Sequence, residues 1–184
     1  MALVTIKPTN LDKLLANGIS AHTTPAVEKT AELLTWAADE KVLLTLAALG
    51  WLLAARRPEN RPIANHILIV SLLSAVLPHV IKNAVDQTRP DRLTVRGHWR
   101  GVPLSGRRRD AFPSGHALHM GALASAAGLL PTPERGVIRS ISIVLSVTRV
   151  LLLAHWASDV AAGFILGGVL ERMTRLIIRP TSRE

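Results

Sequence analysis

The apolar residues of this chain gather into long unbroken runs instead of alternating with polar ones, and run lengths of this order predict membrane helices. The clearest reaches from Pro62 to Ile81, PIANHILIVSLLSAVLPHVI, without a Lys, Arg, Asp or Glu; it matches the ~20 residues that cross a bilayer core. Val42 to Ala55 is shorter and closes on Arg56 and Arg57, so it spans only if extended back towards Trp36 through Asp39, Glu40 and Lys41. Ala111 to Pro133 is again uncharged, and beyond His116 it is rich in Gly, Ala and Ser. Such small residues let helix backbones approach closely, which predicts an interior position. Ile138 to Leu153 and Trp156 to Ile178 add two more runs, the second with Gly163 and Gly167 at GxxxG spacing. The pattern predicts an all-α polytopic membrane bundle of about five transmembrane helices. Before Leu33 the mixed positions Leu11, Leu14, Leu15 and Val27 predict an N-terminal interfacial helix. Without internal repeats or linkers, residues 1–184 read as a single integral-membrane domain.

Composition agrees and narrows the partners. The chain is 48% hydrophobic, with a mean hydropathy of +0.29. Its net charge of +9 comes from basic residues that punctuate the apolar runs and form no stripe, so a bilayer and an anionic substrate are expected, and nucleic acid is not. The absence of cysteine excludes disulfides, thiolate catalysis and Cys-based zinc sites. The N-terminal residues lack the apolar core and cleavage site of a signal peptide, so insertion is assigned to the internal helices. Arg56, Arg57, Arg61, Arg135, Arg139, Arg172, Arg175 and Arg179 fall at one set of helix ends, which would be cytoplasmic. The Asp86–Phe112 loop would then be extracytoplasmic. That loop is itself basic, with Arg89, Arg92, Arg96, Arg100, Arg107, Arg108 and Arg109; some of these are assigned to substrate binding.

Three polar clusters lie where a bilayer makes charge expensive. In KNAVDQTRP, Lys82 and Arg89 are seven positions apart, on one face of a continuing helix that Pro90 would end. Two such cations can grip a phosphoryl group, the Arg in bidentate fashion. In PSGH, Pro113 to His116, helix-start amides, the Ser114 hydroxyl and the close approach allowed by Gly115 suit an anion, and His116 can protonate a leaving group. In TRVLLLAHWASD, Thr148 to Asp159, His155 and Asp159 are four apart. On one helical face Asp159 would set the tautomer of His155, and a neutral imidazole aimed at phosphorus is a competent nucleophile. Arg149 lies six positions before His155, about 240° round a helix, so either a helix break or another segment must intervene. Taken singly, each cluster has an ordinary structural explanation: snorkelling, an N-cap, a His–Asp hydrogen bond.

Together, KxxxxxxRP, PSGH and (S/T)RxxxxxHxxxD, in that order between Lys82 and Asp159, resemble the type 2 phosphatidic acid phosphatase superfamily. The resemblance implies that Lys82, Arg89, Ser114, Gly115 and Arg149 bind phosphate, that His116 protonates the leaving group, and that His155 is the nucleophile with Asp159 as its partner. Thr148 stands where the family usually has Ser. The family works without metal or other cofactor; His116 and His119 lack a third ligand for zinc. Arg107, Arg108 and Arg109, with Trp99 nearby, can bind a headgroup or anchor the loop. His66 and His79 read as packing or interfacial groups, and His98 as a loop residue.

The resemblance implies hydrolysis of a lipid or isoprenoid phosphate or diphosphate through a phosphohistidine. Phosphatidate, phosphatidylglycerol phosphate, undecaprenyl diphosphate and lipid A phosphates all suit it. The expected location is a bacterial inner membrane, with the site on the extracytoplasmic face. The alternatives are a non-catalytic lipid-phosphate-binding protein, which the presence of His116, His155 and Asp159 opposes, and a vanadate-dependent haloperoxidase-like enzyme, which the short hydrophobic chain opposes.

Overall fold

The computed structural model describes residues 3–54, 56–90 and 109–178. Its helices are α1 (Asn10–His22), α2 (Pro25–Ala37), α3 (Glu40–Ala54), α4 (Arg61–Ala84), α5 (Gly115–Ala126), α6 (Thr132–Leu151) and α7 (Ala157–Ile178). Short 3-10 turns precede α4 and follow α5. Two two-residue strands, β1 (Val4–Thr5) and β2 (Val85–Asp86), pair in parallel.

Local chemistry sets many of these boundaries. Thr9 and Asp12 form a reciprocal capping box at the start of α1, and Thr24 followed by Pro25 starts α2. Pro62 lies in the first turn of α4, where its missing N–H costs nothing.

Helix α5 is the axis of the bundle. Eight residues of α5, among them Leu118, Met120 and Ala122, are buried, and its largest interface is with α7. The GxxxG pair makes that closeness possible. A Cβ at Gly163 would lie 2.5 Å from the Ser114 carbonyl oxygen, and one at Gly167 would lie 1.9 Å from that of Leu118. The interior position predicted for this segment and the glycine contact are both found.

The outside of the bundle is apolar. Leu72, Leu73, Val76 and Val80 on α4, Ile141 and Val144 on α6, and Ile165, Val169 and Met173 on α7 are all exposed. A water-soluble monomer rarely carries apolar faces that extensive; lipid is the solvent that suits them. The run Pro58–Ala84 is, among the described residues, the one helix that passes a strict test of length and hydropathy for crossing a membrane. Helices α6 and α7, with 20 and 22 residues, would reach about 30 Å at 1.5 Å per residue but carry charges near their ends. The all-α bundle is as expected, and the number of spans is not fixed by these helices.

Two local expectations are corrected. The N-terminal region forms two helices, not one interfacial helix, and α2 packs on α6. Helix α4 does not continue to Pro90. It ends at Ala84, and the chain turns into β2, whose Val85 and Asp86 pair with Val4 and Thr5. Lys82 and Arg89 therefore do not share a helical face; strand pairing with the N-terminus takes over from helix propagation at β-branched Val85.

Candidate active site

The helices from α3 onward run alternately up and down, so the end of α4, the start of α5, the end of α6 and the start of α7 lie together at one end. The starts of α5 and α7 are tied directly: Ser114 donates its N–H to the Asp159 carbonyl at 3.2 Å, beside the close Gly163 contact. Ser114 is the N-cap of α5 and accepts from the Ala117 N–H at 3.4 Å. The PSGH and His155–Asp159 clusters thus meet through backbone, which fixes their spacing better than side chains alone can.

Between α6 and α7 the helix breaks, the first of the two alternatives that the placement of Arg149 left open. Leu153 has φ 52°, the left-handed region that non-glycine residues seldom occupy. The N–H groups of Ala154 and His155 turn back onto the Arg149 carbonyl at 3.1 and 3.3 Å. His155 therefore sits on a tight loop, not on a helical face shared with Asp159. Its Nδ1 lies 2.6 Å from the Ala111 carbonyl oxygen and 3.8 Å from Asp159 Oδ2. The backbone carbonyl at Nδ1 assigns the proton to that nitrogen and leaves the lone pair on Nε2. Asp159 accepts the Trp156 N–H at 3.0 Å, so it organises the first turn of α7 and the loop bearing the imidazole. The expected His–Asp pairing on one helix is replaced by this arrangement because the helix is interrupted.

The cations converge on that ring. Arg89 donates from Nη1 to the Ala154 carbonyl at 2.9 Å and from Nε to Asp110 Oδ1 at 3.0 Å. Arg149 is 5% exposed; its Nη1 donates to Thr35 Oγ1 at 3.3 Å, and its buried Nε has no partner among the described residues. Lys82, half-buried at the end of α4, interacts with Asp110, Arg89, Arg149 and Glu40. Burial, reinforced by Arg89, Arg149 and Lys82, holds the His155 pKa well below the usual histidine value, against the opposing hydrogen bond to Ala111. The ring is therefore neutral at physiological pH. His116 is half-buried, faces Arg149, His119 and Lys82, and hydrogen-bonds to the Thr35 carbonyl.

Lys82, Arg89, Ser114, Gly115, His116, Arg149, His155 and Asp159 thus come from separate stretches of chain to one end of the bundle. Arg109 is different: its side chain is 73% exposed and lies 3.8 Å from Asp86. Arg107 and Arg108 lie outside the described residues, as do Arg92, Arg96, His98, Trp99, Arg100 and Arg179.

Several participants carry no recognisable sequence signal. The carbonyls of Ala111 and Ala154 are backbone groups. Thr35 comes from α2 and also accepts from the Thr148 hydroxyl at 3.2 Å. Asp12, in α1, accepts the N–H and hydroxyl of Ser158 at 2.9 and 2.8 Å. The two N-terminal helices clasp the His155 loop: Ala16 packs with Ala111, Leu153 and Trp156, and Ala31 with Leu152 and Ala154.

Fold and site define a membrane helical bundle with a cluster of cations around a buried imidazole at one end. The chain belongs to the PAP2 superfamily, whose family model matches residues 64–182. It is 30% identical over 190 residues to a lipid A 1-phosphatase of Rhizobium etli, covering 95% of this chain and 82% of that protein. It is also 32% identical over 129 residues to a decaprenylphosphoryl-5-phosphoribose phosphatase of Mycobacterium tuberculosis, covering 69% and 66%. Among solved structures, the fold is similar to a transmembrane PAP2 type phosphatidylglycerolphosphate phosphatase from Bacillus subtilis. There the TM-score is 0.72 at 20% identity, over 95% of this chain and 90% of the other. Aquifex aeolicus LpxE gives 0.69 at 18% identity, over 92% and 98%. The chain is accordingly a membrane phosphatase of the lipid-phosphate-hydrolysing kind.

Proposed function

We propose that the protein hydrolyses a lipid phosphate at the membrane surface through a covalent phosphohistidine on His155, with no metal. The observation that carries this reading is the convergence of Lys82, Arg89 and Arg149 on a buried imidazole whose Nδ1 is held by the Ala111 carbonyl. Three cations can neutralise the phosphoryl oxygens, a role that metal ions fill in other phosphatases. The Ser114 hydroxyl and the amides at the start of α5 add donors. Nε2 of His155 attacks phosphorus, the bond from phosphorus to the lipid oxygen breaks, and that oxygen takes a proton from His116, which the bound anionic phosphate charges by offsetting the burial and the Arg149 charge that otherwise hold its pKa down to about 3. Neutral His116 then takes a proton from water; the resulting hydroxide attacks phosphorus, the P–N bond breaks, and inorganic phosphate leaves with His155 neutral and His116 protonated again. The Asp159 carboxylate holds the nucleophile's loop.

In this reading the whole chain acts as one domain. The arginine-rich helix ends face the cytoplasm, so the site opens on the extracytoplasmic side of a bacterial inner membrane. Arg107, Arg108 and Arg109 are offered to the headgroup. The likeness to the Rhizobium etli enzyme spans 95% of this chain, which makes a lipid A 1-phosphate the first substrate to test.

The test is phosphate release by detergent-solubilised protein against lipid A, phosphatidate, phosphatidylglycerol phosphate and undecaprenyl diphosphate, with EDTA and with vanadate. Release that survives EDTA, is blocked by vanadate, and yields an acid-labile, base-stable phosphoenzyme after quenching is the expected result. Loss of activity in EDTA, or quenched enzyme without label at saturating substrate under burst conditions, would overturn the mechanism.

A further inference from the structure

At the other end of the bundle, a cleft of about 550 Å³ opens between α5, α6 and α7, within the ~300–1,000 Å³ of small-molecule sites. One end of it is basic. Arg139 is anchored by its Nε to the Ala124 carbonyl at 3.2 Å, and Arg175 by its Nη2 to the Ser125 carbonyl at 2.7 Å. These anchors aim both guanidiniums at Gly128. A Cβ there would lie 3.4 Å from Arg175 Nη1 and 3.9 Å from Arg139 Nη2. Arg172, exposed, completes the rim.

Charge is unbalanced at this place. Glu171 pairs with Arg175, and no ion pair joins Arg139 or Arg172 to a carboxylate among the described residues. Arg139 Nη1 and Nη2 and Arg175 Nη1 have no hydrogen-bond partner among them either. The rest of the cleft is apolar. Ile143, Phe164, Ile165 and Val169 line it, and Ile165 is 65% and Val169 48% exposed on the flank that faces lipid. Ile165 is seven residues before Arg172 on α7, about 10 Å deeper into the bundle. Asp159 is thirteen residues before Arg172 on the same helix, about 20 Å away, so this cleft is separate from the candidate active site.

From this geometry we propose that the cleft binds an anionic phospholipid of the leaflet opposite the active site, its phosphate on Arg139, Arg172 and Arg175 and one acyl chain along Ile143, Phe164, Ile165 and Val169. Open guanidinium donors over a glycine supply the recognition of a phosphate, and the lateral opening admits a chain from the bilayer. A free phosphate ion would use the same arginines but gain nothing from the apolar wall.

The test is native mass spectrometry of the full chain released from micelles containing phosphatidylglycerol or phosphatidylcholine. It compares wild type with the double variant Arg139→Gln/Arg172→Gln and with Val169→Trp, which fills the apolar wall and keeps every arginine. All three substituted residues are exposed, and each variant is checked for an unchanged unfolding temperature. One phosphatidylglycerol should be retained per chain under conditions that strip phosphatidylcholine. Its retention should fall about thirtyfold on removal of the two juxtamembrane cations, and at least about tenfold in Val169→Trp. Equal retention of the two lipids, or unchanged retention in the double variant, would overturn the proposal. So would displacement by 10 mM inorganic phosphate with Val169→Trp still fully competent, because the ligand would then be the free ion.

Discussion

Two polar clusters are buried in this bundle, and they are built on opposite principles. In the lower one, His66, Ser125 and Arg175 gather round the Glu171 carboxylate. Both carboxylate oxygens of Glu171, itself fully buried, are taken, Oε1 by His66 at 2.8 Å and by Arg175, Oε2 by Ser125 at 2.5 Å. In the upper one, Arg89 pairs with Asp110, and neither Lys82 nor Arg149 forms an ion pair among the described residues. Arg149 Nε is left over, and the imidazole of His155 is kept neutral among Lys82, Arg89 and Arg149. A saturated carboxylate joins helices; an open cationic cluster is poised for an anion that arrives later. The same residue types therefore serve structure in one place and chemistry in the other, and what tells them apart is whether a buried carboxylate is saturated at the centre of the cluster.

The comparison breaks most sharply at the two histidine–carboxylate pairs. His155→Ala should reduce turnover by roughly 10⁴-fold or more, as loss of a nucleophile does, while the unfolding temperature moves little. Steady-state phosphate release and thermal unfolding in detergent read the two effects. Wild-type turnover in His155→Ala would remove the upper cluster from the chemistry. Glu171→Ala should do the reverse. It strands buried His66 and takes the carboxylate from partly exposed Arg175, and should cost about 1–3 kcal/mol of stability, with the KM of the surviving folded protein unchanged. A KM shift without a stability loss would show the lower cluster to be something other than a joint.

The acidic limb of the pH–rate profile sharpens the upper half of the comparison. Since burial and three neighbouring cations depress the His155 pKa, the nucleophile stays unprotonated well below pH 6.5, the ordinary histidine value. The acid limb of kcat/KM that reports His155 should lie below that pH. Arg89→Gln removes one of the depressing charges and should move the limb upward. No movement in that variant would show that Arg89 does not face the ring.

How much of this was legible in the sequence differs between the two regions. The helices carrying the motifs could be placed because lipid-facing runs announce themselves, and Gly163 and Gly167 marked a close helix contact in advance, though not its partner. The residues at the site could be named from the spacing of Lys82, Arg89, His116, Arg149, His155 and Asp159. Their geometry could not. The break at Leu153, the early end of α4 and the Ala111 carbonyl behind His155 depend on contacts between distant segments, which no local pattern encodes. The lower cluster was harder still: His66 and Glu171 lie 105 positions apart, and His66 read only as a packing group.

Thr35 tests whether the N-terminal helices belong to the site or merely cover it. Its hydroxyl lies 3.3 Å from Arg149 Nη1 and 3.2 Å from the Thr148 hydroxyl, and its carbonyl meets His116. Thr35→Val keeps the shape and the carbonyl but removes the hydroxyl acceptor. Losing that one hydrogen bond to a charged group should lower kcat/KM by about tenfold, with Thr35→Ser restoring most of it. A Val variant as active as wild type would confine α2 to packing.

The smallest effect is expected at Asp12, on the far side of the same loop. Burial alone would raise its pKa, but hydrogen bonds from Ser158 and Thr9 outweigh that and hold the carboxyl below its ordinary value of 3.8. A carboxyl that is more acidic folded than unfolded adds stability that is fully present above its unfolded pKa and is lost as pH falls through the folded value. Asp12→Asn should therefore cost about 1 kcal/mol at pH 7, seen as a lower unfolding temperature. The gap from wild type should stay constant down to about pH 5 and close only below about pH 4. A gap that persisted unchanged to pH 3 would mean that shape, not the ionised carboxylate, ties α1 to Ser158. The hold of α1 on the His155 loop would then be a matter of packing through Ala16.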